Sequence, residues 1–304
     1  MERECFGYDE KWRIKIMGKF DKVKTKDLDY NNKEEALEIV NRFKEKYLNG
    51  NIQELQDFCF WDILTDEEFN TEYDETKFDG DRTKIVYAID YLLYYKKGLP
   101  EFSLGDKGKY SGDTICTFNT LFGSLPLRKY VTSKFNFSDN ELLQREQFFR
   151  RYQTIGNFYI LPNETIKNGK KNRSLNTYRG TESKWYDYFD IFLKNLQKHL
   201  TSPENIFCDT YDEKFKQLLE LNSFYFKENK SFDSFITDFY LDDYNVLSFD
   251  GSNKYYHWNK QMSSNEDQKN KYKKFAMDYI EKASIFIKQR STKIVNELKE
   301  IIQN

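Results

Sequence analysis

The sequence predicts an α+β protein dominated by helices, with a small mixed or antiparallel sheet and a long C-terminal helix. Three observations carry this expectation. From Asn265 to Gln303 the apolar residues Tyr272, Phe275, Tyr279, Ile280, Ala283, Phe286 and Ile287 recur at spacings of three and four, and Ile294, Val295, Leu298, Ile301 and Ile302 continue the apolar side. A second stripe runs through Trp185, Tyr188, Phe189, Phe192, Leu193, Leu196 and Leu200 and stops at Pro203. Asn157 to Leu161 (NFYIL) is a short aromatic and β-branched run, entered through Gly156 and closed by Pro162-Asn163, which reads as a strand between turns.

The remaining elements follow in chain order. Trp12 to Met17 alternates apolar and basic residues and predicts a strand with one buried face. Ala36, Leu37, Val40, Phe43 and Tyr47 form a helical stripe ending near Asn49-Gly50. Ile52 to Leu64 is apolar enough for a packed helix, and Ile85 to Tyr95 predicts another, with Ile85, Val86, Ile89, Leu92 and Leu93 inward. Asp113, in Ser111-Gly112-Asp113-Thr114, is expected to cap a helix, with a role as an acid as the alternative. Glu141 to Arg151 predicts a helix leading into the central strand. Residues 164–174 form a polar loop in which Asn168-Gly169 suits a tight turn, followed by an extended segment from Leu175 to Tyr178. Phe215 to Phe226 and Phe232 to Tyr240 show helical spacing, the latter with Ser231 as cap, and Tyr244 to Trp258 reads as a hairpin. The sheet is expected to draw on the N-terminal strand, the central pair and the late hairpin.

At 304 residues the chain forms a single domain, or two lobes over 1–140 and 141–304 with the central motif in the second. Charge is balanced, 48 basic against 50 acidic residues, so no global field selects nucleic acid or membrane as a partner. The aromatic content is high, with 27 Phe and 23 Tyr, but without a located surface stripe it does not specify base stacking. Cys5, Cys59, Cys116 and Cys208 share no metal or redox spacing and are expected to be free thiols. No long apolar run or leader-like segment occurs, which predicts a soluble, cytoplasmic protein.

Chemistry concentrates between residues 147 and 200. Lys167, Lys170, Lys171, Arg173, Arg179 and Lys184 face a single acid, Glu182, within 167–184, and a basic loop beside a helix start suits a phosphate. The plainer reading, and the one expected here, is a solvated hairpin tip. Arg179 precedes Gly180 where strand meets helix and is read two ways, as a residue fixing backbone carbonyls or a carboxylate, and as a ligand-binding residue. The candidate ligand or phosphate-binding set is Asn157, Asn163, Lys171, Arg173, Asn176 and Arg179, with Asp187 and Asp190 as candidate acids. Residues 62–81 carry nine acids against Lys77 and read as a solvated acidic connection, since their spacing is not that of a calcium loop. No metal site and no cofactor motif is evident: Walker, GxGxxG and GxSxG patterns are all missing.

TIGNFYILPN (154–163), LNTYRG (175–180), FDSFITDFYLDDYNVLSF (232–249) and SGDTI (111–115) together resemble an uncharacterised bacterial and phage-borne family, a domain of unknown function, over about 100–270. That resemblance implies no activity. Ile155-Gly156-Asn157 is also similar to the segment after the catalytic strand of some HNH nucleases, but an HNH site needs an upstream His, and His199 and His257 both follow the block. Tyr178-Arg179-Gly180 is similar to the arginine strand of ADP-ribosyltransferases, without that family's later motifs. The expected function is an interaction or sensing component, placed by resemblance in a mobile-element or phage-defence locus, with an unknown protein partner. The alternative is a nucleic-acid-acting enzyme, a degenerate HNH-like, metal-dependent nuclease. It would use the 167–184 loop for phosphate and Asp187 or Asp190 for metal.

Overall fold

A computed structural model describes residues 33–69, 80–95, 97, 109–123, 128–168, 171–175, 189–201, 213–226, 231–244 and 264–303. The expected N-terminal strand at 12–17 and nearly all of the hairpin at 244–258 lie outside the described residues. Helices dominate, accompanied by short antiparallel pairings, and a long C-terminal helix closes the described chain.

The first helix, α1 (Lys33–Tyr47), buries Ala36, Val40 and Phe43, with Glu34 and Glu35 in its first turn and Lys44 and Lys46 in its last, complementing the helix dipole. Asn49 and Gly50 leave it at positive φ. The packed helix expected over 52–64 is instead two 3₁₀ turns, Ile52–Asp57 and Phe60–Ile63. The reason is tertiary. Phe58 and Cys59 are extended, and the Phe60 N–H donates to Gln153 O at 2.8 Å instead of closing a helical turn. That bond sets the Phe60 ring among Phe43, Phe58 and Phe158.

Helix α2 (Lys84–Tyr95) is buried well beyond the inward stripe its sequence predicts, since Tyr87, Ala88, Tyr91 and Tyr94 are buried too. A helix covered on every side is a core helix. Strand β1 (Tyr110–Thr114) pairs antiparallel with β2 (Phe158–Pro162), with Gly112 opposite Ile160 and Asp113 opposite Tyr159. Asp113 is therefore a strand residue and caps no helix. Its side chain accepts from the Thr114 N–H at 2.7 Å. At Gly112 a Cβ would stand 2.7 Å from the Asp81 carbonyl oxygen, so glycine lets the strand cross there.

Short α3 (Asn119–Phe122) and α4 (Arg128–Phe135) lead to α5 (Asp139–Tyr152). A capping box starts α5: the Ser138 hydroxyl accepts from the Glu141 N–H, and Glu141 accepts from the Ser138 N–H. A 3₁₀ turn, Ile155–Asn157, then delivers the chain into β2. The polar loop after β2 is a hairpin of β3 (Ile166–Asn168) and β4 (Lys171–Arg173), with Asn168 opposite Lys171. The turn inferred from Asn168-Gly169 thus joins two strands of its own, and the strand partner of β2 is β1. Helices α6 (Phe189–Thr201), α7 (Glu213–Leu221), α8 (Ser223–Phe226) and α9 (Phe232–Asp238) follow, α9 capped by Ser231 as its sequence predicts.

Helix α10 (Glu266–Gln303) has 38 residues and spans about 57 Å at 1.5 Å per residue. It runs beside α5 in the same direction. Lys273 Nζ meets Glu141 at 2.9 Å, Tyr279 packs edge-on to Phe148, and Gly156 reaches Ser291. At this last contact a Cβ on Gly156 would overlap the Ile287 carbonyl oxygen and stand 2.7 Å from Ser291 N. Gly156→Ala is therefore expected to destabilise the protein by about 3 kcal/mol, the scale of an overpacked core. Urea unfolding checks this, with Leu143→Ala, at a position 54% exposed, as a control that shifts the midpoint little.

Candidate functional site

The most polar part of the core lies where α10 crosses the Ile155–Asn157 turn. Arg290 occupies the inward face of α10, between Phe286 and Ile294, and is 1% exposed. Its Nη1 donates to Gly156 O at 3.0 Å and Phe158 O at 2.6 Å, and its Nε donates to Phe239 O at 3.2 Å. One guanidinium thus fastens the entry of β2 and the end of α9 to α10. Ser291 Oγ accepts from the Gly156 N–H beside it.

Asn157 is fully buried and uses both ends of its amide. Its Oδ1 accepts from the Cys116 N–H at 2.7 Å, and its Nδ2 donates to Tyr152 O at 2.9 Å and Cys116 O at 3.3 Å. These bonds stitch the end of α5 to the chain leaving β1. Two buried tyrosine hydroxyls act similarly: Tyr279 accepts from the Thr117 N–H, and Tyr225 donates to Ile160 O.

Facing Arg290 from α2 is Asp90, 4% exposed. Burial pushes its carboxyl up to about 8, while the Arg290 charge pulls the other way. The Tyr94 hydroxyl lies in the same field and is raised by burial. Tyr240, also raised by burial, sits at φ 58° just after α9. Left-handed backbone costs a non-glycine residue roughly 1–2 kcal/mol. Two features hold it. The Tyr240 N–H bonds to Thr237 O while the Leu241 N–H bonds to Ile236 O, a Schellman closure, and the Lys97 ammonium lies 3.9 Å from the Tyr240 ring centroid.

A second polar region is an open cleft of about 480 Å³ between α1, the two 3₁₀ turns and α5, lined by Asn51, Gln53, Gln56, Asp57, Asp62 and Arg150 among others. Arg150 grips Asp62 with both ends of its fork, at 3.1 and 2.6 Å, and Arg151 pairs with Asp57. Cys59, which also lines the cleft, has its thiol pushed up to about 11 by burial and so stays protonated at neutral pH. The acids next to the cleft are tied down too, Asp66 by Lys46 and Tyr47, Glu68 by Lys46 and Arg42. Asp81, expected in a solvated connection, is 1% exposed beneath Gly112, because the chain passes under β1 there.

The sequence-predicted site residues fall in separate surroundings. Asn157 and Asn163 flank β2, roughly 20 Å apart at the rise of a strand. Asn163 donates its N–H to Lys109 O at 2.8 Å. Lys171 and Arg173 are in β4, in register with Asn168 and Ile166. Asp190 is in the first turn of α6, and Asn176, Arg179 and Asp187 lie outside the described residues. Among the described residues no group of three His, Cys, Asp or Glu is placed to hold a metal ion. Sequence reasoning missed Arg290 and Asp90. A signal existed for each: Arg290 falls three after Ile287 and four before Ile294 on the apolar side, and Asp90 interrupts an otherwise apolar and aromatic run.

Asp90 makes stability depend on pH. An unfolded Asp titrates near 4 and the folded one near 8, so folding favours the protonated form. The stabilisation is complete below the lower value and is lost as pH rises through the upper one. Between pH 5 and 8 the wild type is expected to lose roughly 1 kcal/mol per pH unit relative to Asp90→Asn. Thermal melts of the two proteins across that window check it, and parallel curves contradict it.

The sequence model of a family of unknown function, DUF6994, matches residues 90–294, a span that holds Asp90, β1, β2, α9 and Arg290. No curated protein and no solved structure matches. The match covers all four sequence blocks that suggested a domain of unknown function and about two thirds of the chain, so the protein belongs to the DUF6994 family.

Proposed function

We propose that this protein works by binding a protein partner, as an interaction or sensing component, and that the cleft between α1, the two 3₁₀ turns and α5 is its recognition face. The observation that carries the reading is the division of polar groups. Arg290 and Asn157 are committed to backbone carbonyls and amides of the scaffold, whereas the cleft presents fixed amides and paired charges to solvent. Pre-set polar groups in an open concavity favour recognition, because little ordering entropy is lost on contact. The proposed contact therefore lies away from the Asn157 centre. Cys59 and Cys116 are buried free thiols, which fits a reducing compartment and supports placement in the cytoplasm. No helix among the described residues is long and apolar enough to cross a membrane. A mobile-element or phage-defence setting enters the proposal only through the sequence blocks quoted above.

A second reading rests on the β3–β4 hairpin, where Lys167 is exposed and Lys171 and Arg173 follow on the paired strand. A basic hairpin of this kind suits nucleic-acid phosphates, with Asp187 or Asp190 as the metal-holding acids of a nuclease.

Asp62→Lys tests the first reading, since it replaces the attraction to Arg150 by repulsion within the cleft. The pair is 41–49% exposed, so the fold is expected to lose less than about 1 kcal/mol. A partner that co-purifies with the wild type is expected to be lost from the variant while the melting temperature stays close. Equal recovery by both proteins overturns the cleft as the recognition face. Binding of labelled DNA and RNA, with and without Mg²⁺, tests the second reading. Contacts through the three hairpin cations predict a slope of log K against log salt of about −2 to −3, reduced by about 2 in Lys171→Ala/Arg173→Ala.

A further inference from the structure

The cleft between α1, the two 3₁₀ turns and α5 takes its chemistry from one stretch of chain. Ten of its eleven lining residues fall within 47–62, and the other is Arg150. From Tyr47 to Thr76 the sequence has nine acids and no Lys or Arg. The first 3₁₀ turn sorts its residues by threes: Ile52 and Leu55 are buried, Gln53 and Gln56 are partly buried, and Glu54 and Asp57 are exposed. Side chains three apart eclipse on a 3₁₀ helix, so at about 2 Å per residue the two carboxylates stand in line, about 6 Å apart. Glu54 accepts from the Asn49 side-chain amide at 3.2 Å and enters no ion pair among the described residues. Asp57 pairs with Arg151 through Oδ1. The cation that lines the cleft, Arg150, is committed to Asp62 with both ends of its fork.

We propose, resting on the reading of this cleft as the recognition face, that the partner enters it with a basic segment carrying two arginines about 6 Å apart, as at i and i+4 on a helix. The lining holds three carboxylates, Glu54, Asp57 and Asp62, against one guanidinium, which leaves negative charge for the partner to neutralise. Arginine suits the cleft better than lysine. Its planar fork matches a carboxylate, and Tyr47 and Phe58 line the same concavity, where aromatic rings attract a guanidinium. The carboxylates in line also give the contact a register, since a matched pair of cations meets both and a single one meets half. The same ridge rejects other partners. An acidic segment brings like charges together, and a neutral one covers both carboxylates without pairing them.

Backbone amide shifts of the isotope-labelled full-length protein test this with a helical alanine-based peptide that carries two arginines four residues apart. The peptide is expected to shift the amides of residues 51–59 saturably, and the same peptide with citrulline or glutamate in place of arginine is expected to leave them unmoved. Glu54→Gln/Asp57→Asn, which neutralises two exposed side chains, is expected to weaken binding about fivefold, the scale of exposed ion pairs. Glu281→Gln, at an exposed position of α10, leaves it unchanged. The proposal is overturned by unmoved amides at 51–59, by an equal response to the citrulline peptide, or by equal affinity in the double variant. The co-purifying partner separates the two levels. Its loss from Asp62→Lys with full recovery by Glu54→Gln/Asp57→Asn overturns the basic segment and leaves the cleft as recognition face, whereas full recovery by Asp62→Lys overturns both.

Discussion

A single buried guanidinium organises this fold. Arg290 joins three carbonyls from two separated segments, and each bond to a charged donor is worth about 1.5–3 kcal/mol where water is excluded. In the Ile155–Asn157 turn, where α5 hands the chain to β2, Ile155 O accepts from the Phe158 N–H and Asn157 O from the Ile115 N–H, while Gly156 O is met by the Arg290 guanidinium. Without that donor from α10, the Gly156 carbonyl would be buried with its hydrogen bond unmet, which is costly. Arg290 makes that burial feasible, and with it the close approach of Gly156 to Ser291 and the pairing of β1 with β2.

Around this polar knot the core is largely aromatic. Tyr159, Tyr225, Phe235 and Phe239 pack with ring centroids 4.7–6.1 Å apart, mostly tilted or edge-on, the arrangements that ring quadrupoles favour. A second set gathers Phe43, Phe58, Phe60 and Phe69 under α1 and links to the first region through Phe158. Tyrosine suits the interface between ring packing and polar knot because its hydroxyl reaches backbone groups while its ring stays in the apolar layer, as Tyr225, Tyr272 and Tyr279 all do.

The two polar regions differ in what they offer chemistry. In the buried one, the Arg290 and Asn157 side chains bond to backbone atoms of the scaffold. In the cleft, amides and carboxylates keep unused lone pairs toward solvent, and ion pairs hold them still. The Cys59 thiol beside them is raised by burial and stays protonated at neutral pH.

Periodicity alone determined the long C-terminal helix, α1, α2, α5, α9 and the β2 strand, because local spacing of apolar residues reports which face is buried before any partner is known. The hairpin after β2 was legible from Asn168-Gly169, and family membership from ordered blocks. Local pattern did not reveal that 52–64 breaks into two 3₁₀ turns, because the decisive bond comes from Gln153 O. Nor did it reveal that Asp113 sits in a strand, because its pairing partner is 46 positions away at Tyr159. Asn157 stood out in the sequence as polar and adjacent to a strand, yet only its bonds to the backbone of Tyr152 and of distant Cys116 identify what it does. Arg290 and Asp90 were visible only as charges on apolar faces. Their joint role arises from the crossing of α2, α9 and α10, which brings together groups 200 residues apart in the chain.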